Sequence, residues 1–202
     1  MRNDFEKAMH FRHACKIFDN TKSISDEDLS FILEAGRLSP SSFGVEHWHF
    51  FVIENPSIKE EIQKVAWNQA QITTSSKLIA IVYKKKVRST DSYIQSEFDK
   101  FEYPQMLRDM YTNWIDIRDD KALYSWSAKQ VYIAGANMMT AAASIGIDSC
   151  PMEGFDKDSV EKLMGLDTAE YGLALLIPFG YRLNPQPSLH RSDLKEMVSY
   201  IN

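Results

Sequence analysis

The chain has 202 residues, of which 44% are hydrophobic and 25% are charged, and its formal net charge is −5. A chain of this length buries about 70% of the surface of its unfolded form, so it needs no disulfide or metal ion for stability. The acidic balance argues against a nucleic-acid scaffold, because phosphate backbones require a basic surface. No apolar run has the length of a membrane-spanning helix, so no membrane partner is expected.

Two cysteines, Cys15 and Cys150, are too few for a disulfide framework, and we expect free thiols in a reducing compartment. The first ten residues, "MRNDFEKAMH", contain no apolar core of a secretory signal. These features predict a cytoplasmic protein. The one basic cluster, residues 84–88, is expected to end a strand and face solvent.

Hydrophobic periodicity predicts helices and strands that alternate irregularly along one unit, without repeats or low-complexity linkers. In the first half of the chain, the pattern predicts a short helix to Met9, a helix from Ser25 to about Leu38, a strand over 49–53, a helix after Asn55-Pro56 and a strand over 78–83. In the second half, it predicts a long helix over 125–146, a short strand near 147–152, a helix between 156 and 165, a strand over 171–179 and a helical turn from Ser192. This order predicts the α+β class with a mixed, mostly antiparallel sheet flanked by helices.

Local signals support several of these elements. Ser25 with Asp28 resembles a capping box, and Asn55 followed by Pro56 is typical of a helix start. Gly146 is the expected stop of the long helix. Residues 88–121 show a weak pattern with scattered aromatics, and we expect a peripheral helical excursion there.

Common catalytic and metal-binding motifs are absent from the sequence. It contains no glycine-rich phosphate loop, no G-x-S-x-G elbow, no H-E-x-x-H and no paired C-x-x-C. His47 and His49 would share one face of a regular strand, but no third ligand is evident, so no metal site is predicted. Cys15 precedes Lys16, yet no base that would activate its thiol is identifiable.

The N-terminal cations Arg12, His13 and Lys16 allow two interpretations. One is an ordinary solvated face. The other is anion recognition, in which an arginine grips a phosphate as a fork and a lysine acts as a point charge. The residues alone leave both open.

Three ordered segments together resemble the family of flavin-dependent nitroreductases. "RHACKIFD" (12–19) is similar to the family's anion-binding segment, "LSPSSFGVEHWHFFVI" (38–53) to its Ser-Pro-Ser-Ser turn and following strand, and "AKQVYIAGANMMTAAASIGIDSCPMEGFD" (128–156) to its long dimer helix and flavin turn. The nearest resemblance is to the oxygen-insensitive NAD(P)H subgroup, which includes metronidazole-activating enzymes of Helicobacter-like bacteria. The resemblance implies a nitroreductase-like fold over 1–202, an intertwined homodimer, and FMN at the subunit interface.

Carried over position by position, the resemblance assigns flavin contacts to Arg12, His13, Ala14, Lys16, Pro40, Ser41, Ser42, Gly44, Asn68, Gln71, Glu153, Gly154 and Arg191. Arg12, His13 and Arg191 would hold the phosphate end. Lys16 would lie near the N1–C2 edge of the ring, where its charge stabilises the anionic reduced flavin. It would act as electrostatic support only; no residue is assigned a catalytic role, because the flavin performs the hydride transfer.

The other assigned residues would line the ring. Residues 40–42 would come from the partner subunit, Asn68 would bind the pyrimidine edge, and the backbone amides of Glu153 and Gly154 would face N5 and O4. The implied activity is ping-pong hydride transfer from NADH or NADPH, through flavin N5, to a nitroaromatic compound or a quinone. Alternatives are a pterin or flavin reductase, an NAD(P)H oxidase, or a low-turnover redox sensor that uses Cys15.

Four departures from the family pattern are notable. Ala14 replaces a hydroxyl that helps to hold phosphate, and Gly44 replaces a frequent asparagine. Glu46-His47 replaces Gln-Pro, so the turn lacks the proline that normally stiffens it, and the residues leave open whether the flavin pocket is looser as a result. Gln71 stands where a second lysine is frequent, and the loss of that charge predicts a more negative flavin potential.

Overall fold

Residues 2–201 are described by the structure, a computed structural model, and their elements follow the predicted order. The helices are α1 (Arg2–Phe11), α2 (Asp26–Arg37), α3 (Pro56–Val65), α4 (Gln71–Thr74), α5 (Ser92–Lys100), α6 (Gln105–Ile115), α7 (Asp120–Ser144), α8 (Lys157–Leu163) and α9 (Leu194–Met197). The strands are β1 (Trp48–Ile53), β2 (Lys77–Lys84), β3 (Asp148–Ser149) and β4 (Tyr171–Gly180). The α+β class is therefore confirmed.

The sheet has the order β1-β2-β4-β3, and its neighbouring strands all run antiparallel. Within residues 2–201, parallel pairing is limited to one bridge between Ala14 and Ser149. Strand β2 lies between β1 and β4 and is buried on both faces, which explains its unbroken apolar run. Strand β1 lies at the edge of the sheet as residues 2–201 define it.

The predicted helix starts are confirmed. Ser25 caps α2 by accepting a hydrogen bond from the Asp28 amide, and Asn55 caps α3, which begins with Pro56. Helix α7 begins earlier than predicted, because Asp119 caps it by accepting a hydrogen bond from the Ala122 amide. Just beyond α7, Gly146 has a φ of +80°, a conformation that glycine adopts without strain.

Two apolar clusters cover the two faces of the sheet. One is formed by α2 and the buried side of α7, and the other by α3, α8 and the loop after β3. Gly36 in α2 allows close packing, because a Cβ atom there would lie 2.8 Å from the sulfur of Met138 in α7. Helix α7 is thereby held against both α2 and the sheet.

A third apolar cluster lies outside the sheet. Helices α5 and α6, within residues 88–121, pack with the start of α7 around Val45, and the buried side chains include Phe98 and Tyr111. The cluster surrounds the turn that precedes β1. No helix in residues 2–201 combines the length and the apolar character needed to cross a membrane.

Candidate functional site

The N-terminal cationic segment lies beside the last strands of the sheet. The Cys15 amide donates to the Ser149 carbonyl over 3.1 Å, next to the parallel bridge at Ala14. Phe18 then bridges Arg182 beyond β4. The backbone of residues 14–18 is thus fixed on both sides, while Lys16 remains exposed.

Lys16 reaches a buried thiol. Its Nζ lies 3.5 Å from Cys150 Sγ, and Gln71 Nε2 approaches the same sulfur at 4.0 Å. Burial raises the pKa of Cys150, while the nearby ammonium group of Lys16 acts in the opposite direction. The fold therefore brings the predicted residues Lys16 and Gln71 to one point, through a cysteine that the resemblance did not assign.

A second amide continues this contact chain to the predicted flavin turn. Gln71 Nε2 donates to Gln69 Oε1 over 2.8 Å, and Gln69 Nε2 donates to the carbonyl of Gly154 over 2.8 Å. Trp67 lies flat against Gly154, since a Cβ atom there would come within 2.5 Å of the indole ring. Lys16, Gln71 and Gly154 are thus joined by contacts between residues far apart in sequence.

His13 is held next to a buried carboxylate. Its Nδ1 lies 3.5 Å from Asp148 Oδ1 and has no hydrogen-bond partner within residues 2–201. Asp148 also accepts from the backbone amide of Arg182 over 3.0 Å and from its Nε over 2.9 Å. Asp148 therefore joins β3, the segment after β4 and the N-terminal segment.

The charges of this region fit a phosphorylated flavin. Arg12 and Lys16 form no ion pair with a carboxylate in the described part of the chain, so both charges remain available to an anion. A cleft of about 190 Å³ lies along residues 13–17 and is closed on the other side by Asn184, Pro185 and Pro187. Cationic donors beside such a cleft suit a phosphate group, whereas Ala14 supplies no hydroxyl.

The predicted turn lies elsewhere in the protomer. The Ser42 amide donates to Gln130 Oε1 of α7 over 3.0 Å, and the Ser41 hydroxyl accepts from the Glu46 amide over 3.0 Å. Phe43, Gly44 and Glu46 all have positive φ values. Left-handed conformations at non-glycine residues cost free energy, so the turn depends on the groups that hold it.

His47 is one of these groups, and its side chain holds the turn where proline is frequent in the family. The imidazole is fully buried, with Nδ1 3.2 Å from Ser127 Oγ and Nε2 3.4 Å from the Ser42 carbonyl. Burial lowers the pKa of His47 to about 4, so the ring is neutral near pH 7. It fastens the turn to α7, although it does so with a side chain and not with the rigidity of proline.

Two tyrosines of the peripheral segment hold the same turn. Tyr93 Oη donates to the Val45 carbonyl over 2.9 Å, and Tyr103 Oη donates to the Phe43 carbonyl. Lys84 lies 3.9 Å from the centre of the Tyr93 ring, and burial lowers its pKa. The expectation that residues 84–88 all face solvent is therefore wrong for Lys84, which α5 covers, and for Val87, which is fully buried in the third apolar cluster.

The turn and the N-terminal segment do not meet within one protomer. No hydrogen bond or ion pair within residues 2–201 joins residues 40–47 to residues 12–18. The turn contacts α7 at Gln130, and Ser39 just before it accepts from Asn137 Nδ2 over 2.8 Å, whereas the end of α7 leads through Ala142 to β3. Twelve helical residues between Gln130 and Ala142 correspond to roughly 18 Å along the axis. Within residues 2–201 the predicted flavin contacts thus fall into two separate groups.

The remaining predicted residues are on the surface. Asn68 is exposed and has a φ of +52°, and Glu153 is exposed near Tyr132. Arg191 lies in the exposed tail, where its Nη1 donates to the carbonyl of the preceding His190. Pro40 is exposed at the start of the turn.

The contacts of His47, His49 and Cys15 fit roles in packing and not in metal binding or nucleophilic chemistry. His47 lies just before β1 and is buried against Ser127, whereas His49 is exposed beside Phe51, so the two rings do not converge. Burial, with a contribution from Asp148, raises the pKa of Cys15 to about 11. A thiol that stays protonated near pH 7 is a poor nucleophile and a poor redox sensor.

Sequence reasoning missed Gln69, Cys150 and Trp67 near Lys16. It also missed Ser127 and Gln130, which hold the turn. The spacing of Gln69 and Gln71 was the one local signal for a paired amide. The contacts to Cys150 and to α7 span many residues and leave no local pattern.

Comparisons with known proteins identify the family of this chain. Residues 9–181 match the model of the nitroreductase family. A Staphylococcus epidermidis protein provisionally named NAD(P)H nitroreductase is 42% identical over 96% of this chain and 95% of its own length. A Staphylococcus aureus protein with the same provisional name is 43% identical over 100% and 97%. A crystal structure from Exiguobacterium sibiricum, described as a provisional nitroreductase in complex with FMN, has a TM-score of 0.81, 25% identity, and coverage of 98% and 97%.

Proposed function

The chain belongs to the nitroreductase family, and from that premise we propose that it is an FMN-dependent NAD(P)H oxidoreductase that reduces nitroaromatic compounds or quinones. Relatives that share more than 40% of their residues carry the name NAD(P)H nitroreductase. The structural relative from Exiguobacterium sibiricum is described as a complex with FMN.

One observation carries the proposal. Lys16, Gln71 and Gly154, which the resemblance assigned to the flavin independently of one another, are linked by contacts through Cys150 and Gln69. Lys16 lines the adjoining cleft, and neither Lys16 nor the neighbouring Arg12 forms an ion pair with a carboxylate within residues 2–201. A structural salt-bridge network would pair these cations, whereas an anion site leaves them available.

FMN, when bound, supplies the hydride acceptor and donor at N5. The protein's part is placement and charge. Arg12 and Lys16 would bind anionic groups of the cofactor, and Lys16 would favour the negative charge that reduction adds to the ring. The backbone at Gly154 would face the ring, because Trp67 and Gln69 hold this residue from the other side.

We propose a homodimer because the turn at residues 40–47 and the N-terminal segment do not meet in one protomer. A second copy would bring its turn to the first copy's cleft. The described tail is exposed beyond Gln186, its hydrogen bonds there join only near neighbours, and it carries apolar side chains such as Tyr200 and Ile201. Together with the open edge of β1, this tail is suited to wrap around a partner.

The test of the activity is an anaerobic reduction experiment. The purified protein is expected to be yellow, to bleach on addition of NADH or NADPH, and to recover its colour with nitrofurazone or benzoquinone. A colourless protein that does not take up added FMN would overturn the proposal. Colour with bleaching but with recovery only by oxygen or free flavin would instead assign an oxidase or a flavin reductase.

Sedimentation tests the dimer. The full chain is expected to sediment as a dimer, and a variant truncated after Pro187 is expected to shift toward monomer and to lose FMN affinity. A full-length monomer that binds FMN would contradict the dimer.

We also infer a cytoplasmic location. Two thiols that remain free, Cys15 and Cys150, support a reducing compartment. Fractionation of cells is expected to recover the protein with cytoplasmic markers.

A further inference from the structure

Gln69 occupies a central position in the contact chain and belongs to none of the assigned flavin contacts. Its Nε2 donates to the Gly154 carbonyl over 2.8 Å and to the Ala66 carbonyl over 3.2 Å. Its Oε1 accepts from Gln71 Nε2 over 2.8 Å. One side chain thus joins the segment before α4 to the turn at residues 153–156.

The orientation of the Gln69 amide is determined by its partners. Both backbone carbonyls only accept, so the NH₂ group must face them. A reversed amide would place Oε1 against two carbonyl oxygens and Nε2 against the NH₂ group of Gln71. The amide oxygen of Gln69 must therefore point to Gln71.

This orientation determines that of Gln71 in turn. Gln71 is buried, and its Nε2 is directed at Gln69 Oε1 and toward Cys150 Sγ, so its hydrogens are used within the protein. Gln71 Oε1 receives no hydrogen bond within residues 2–201. This oxygen is also not completely buried, so a ligand can reach it. The group that Gln71 offers to a ligand is consequently an acceptor.

We propose that Gln69 is a positioning residue of the flavin site, which holds Gln71 as a hydrogen-bond acceptor and fixes the Gly154 peptide. This inference rests on the proposed binding of FMN. A lysine at position 71 would donate to the N1–C2 edge, whereas a carbonyl oxygen accepts from a ring N–H. Gln71 therefore differs from the lysine that is frequent in the family in two ways: it lacks the charge, and it accepts a hydrogen bond where lysine would donate one. Gln69 causes the second difference, because it fixes the orientation of the Gln71 amide.

The experiment compares Gln69→Leu with Gln95→Leu in the holoprotein. Gln95 lies on α5 and donates to the Ser89 carbonyl over 2.5 Å, away from the cleft. Two quantities are measured: the Kd of FMN by fluorescence titration of the apoprotein, and the midpoint potential of bound FMN. Thermal unfolding of each apoprotein reports structural damage separately.

Gln69→Leu is expected to raise the FMN Kd about tenfold, because the Gly154 carbonyl loses its donor and Gln71 can rotate. The midpoint potential is expected to become more positive, since a rotated Gln71 can present its NH₂ group to the reduced ring. Adding Gln71→Leu is expected to abolish this change in potential, because Gln69 acts through Gln71. Gln95→Leu is expected to leave both quantities unchanged.

A lower unfolding temperature for Gln69→Leu, with unchanged Kd and potential, would reduce Gln69 to a structural role and overturn the inference. If Gln69→Leu does not fold, Gln69→Glu replaces it: the carboxylate still accepts from Gln71 but opposes the Gly154 carbonyl. For Gln69→Glu, an unchanged Kd would likewise overturn the inference. A wild-type protein that binds no FMN would refute the proposed function itself, a result distinct from either of these.

Discussion

His47 and Ser127 form a buried pair, with the imidazole Nδ1 3.2 Å from the serine Oγ. The Ser127 hydroxyl donates onward to the Lys84 carbonyl over 2.7 Å. The pair therefore connects the turn before β1, the N-terminal half of α7 and the end of β2. This connection lets a turn with several left-handed residues keep one conformation.

Replacing His47 by alanine is expected to lower the free energy of unfolding by about 3 kcal/mol, because the change removes a fully buried ring and leaves a cavity. Urea denaturation measures this loss. His49→Ala is the matched control, since His49 is exposed, and a loss of about 1 kcal/mol or less is expected. Equal losses for the two variants would contradict the assigned role of His47.

Acid pH is expected to destabilise the protein through the same ring. Burial lowers the pKa of folded His47 from 6.5 to about 4, so between these values the unfolded state binds a proton that the folded state does not. Stability from the neutral ring is present above pH 6.5 and declines as the pH falls to about 4, by about 3 kcal/mol at most.

The measurement is the free energy of unfolding of wild type and His47→Gln at pH 7 and pH 5. The difference between the two proteins is expected to shrink at pH 5, because glutamine does not titrate. A difference that stays constant would show that His47 has an ordinary pKa.

Tyr103→Phe is expected to destabilise the protein by about 1 kcal/mol, since the carbonyl of Phe43 loses its tyrosine donor. Hydrogen exchange at the amides of residues 42–46 is expected to accelerate. Tyr124→Phe is the control, because the Tyr124 hydroxyl forms no hydrogen bond in the described residues. Exchange that is unchanged at the turn would mean that Tyr103 does not hold it.

Gln71→Lys is expected to make the midpoint potential of bound FMN more positive, by about 30 mV or more, which equals a tenfold stabilisation of a two-electron reduced form. The added charge would act beside Lys16, at the point where both side chains approach Cys150. Gln95→Lys adds the same charge on α5 and is expected to leave the potential unchanged. The hypothesis on the missing second lysine fails if Gln71→Lys does not change the potential.

Gly36→Ala is expected to lower the free energy of unfolding by about 2 kcal/mol, because its Cβ would lie within 3 Å of both Met138 and Phe50. Thermal unfolding followed by circular dichroism measures the effect. Ser30→Ala on the exposed side of α2 is the control. If Gly36→Ala has the stability of Ser30→Ala, α2 and α7 are packed less closely than the structure indicates.

Local chemistry made much of the fold predictable. Ser25 and the Asn55-Pro56 pair start helices through hydrogen bonds to residues two or three positions away, so their signals lie in the sequence itself. Strand β2 was recognisable because burial on both faces demands a continuous apolar run. Such features need no knowledge of distant contacts.

The parts that sequence reasoning missed depend on distant contacts. Lys84 was placed in solvent, but α5 brings Tyr93 over it. His47 was interpreted through the proline it replaces, whereas its partner Ser127 lies 80 positions away. Lys16 and Cys150 are 134 positions apart, and the parallel pairing at Ala14 and Ser149 helps to bring them together.

Helix α7 sets the spacing between the turn and the N-terminal segment that we propose to contact the flavin. It contacts the turn at Gln130 and reaches the strand beside the N-terminal segment beyond Ala142. A single residue inserted between these points would extend the helix by about 1.5 Å and rotate one end by about 100°. We therefore expect the number of residues in this stretch of α7 to be the same in all relatives that function.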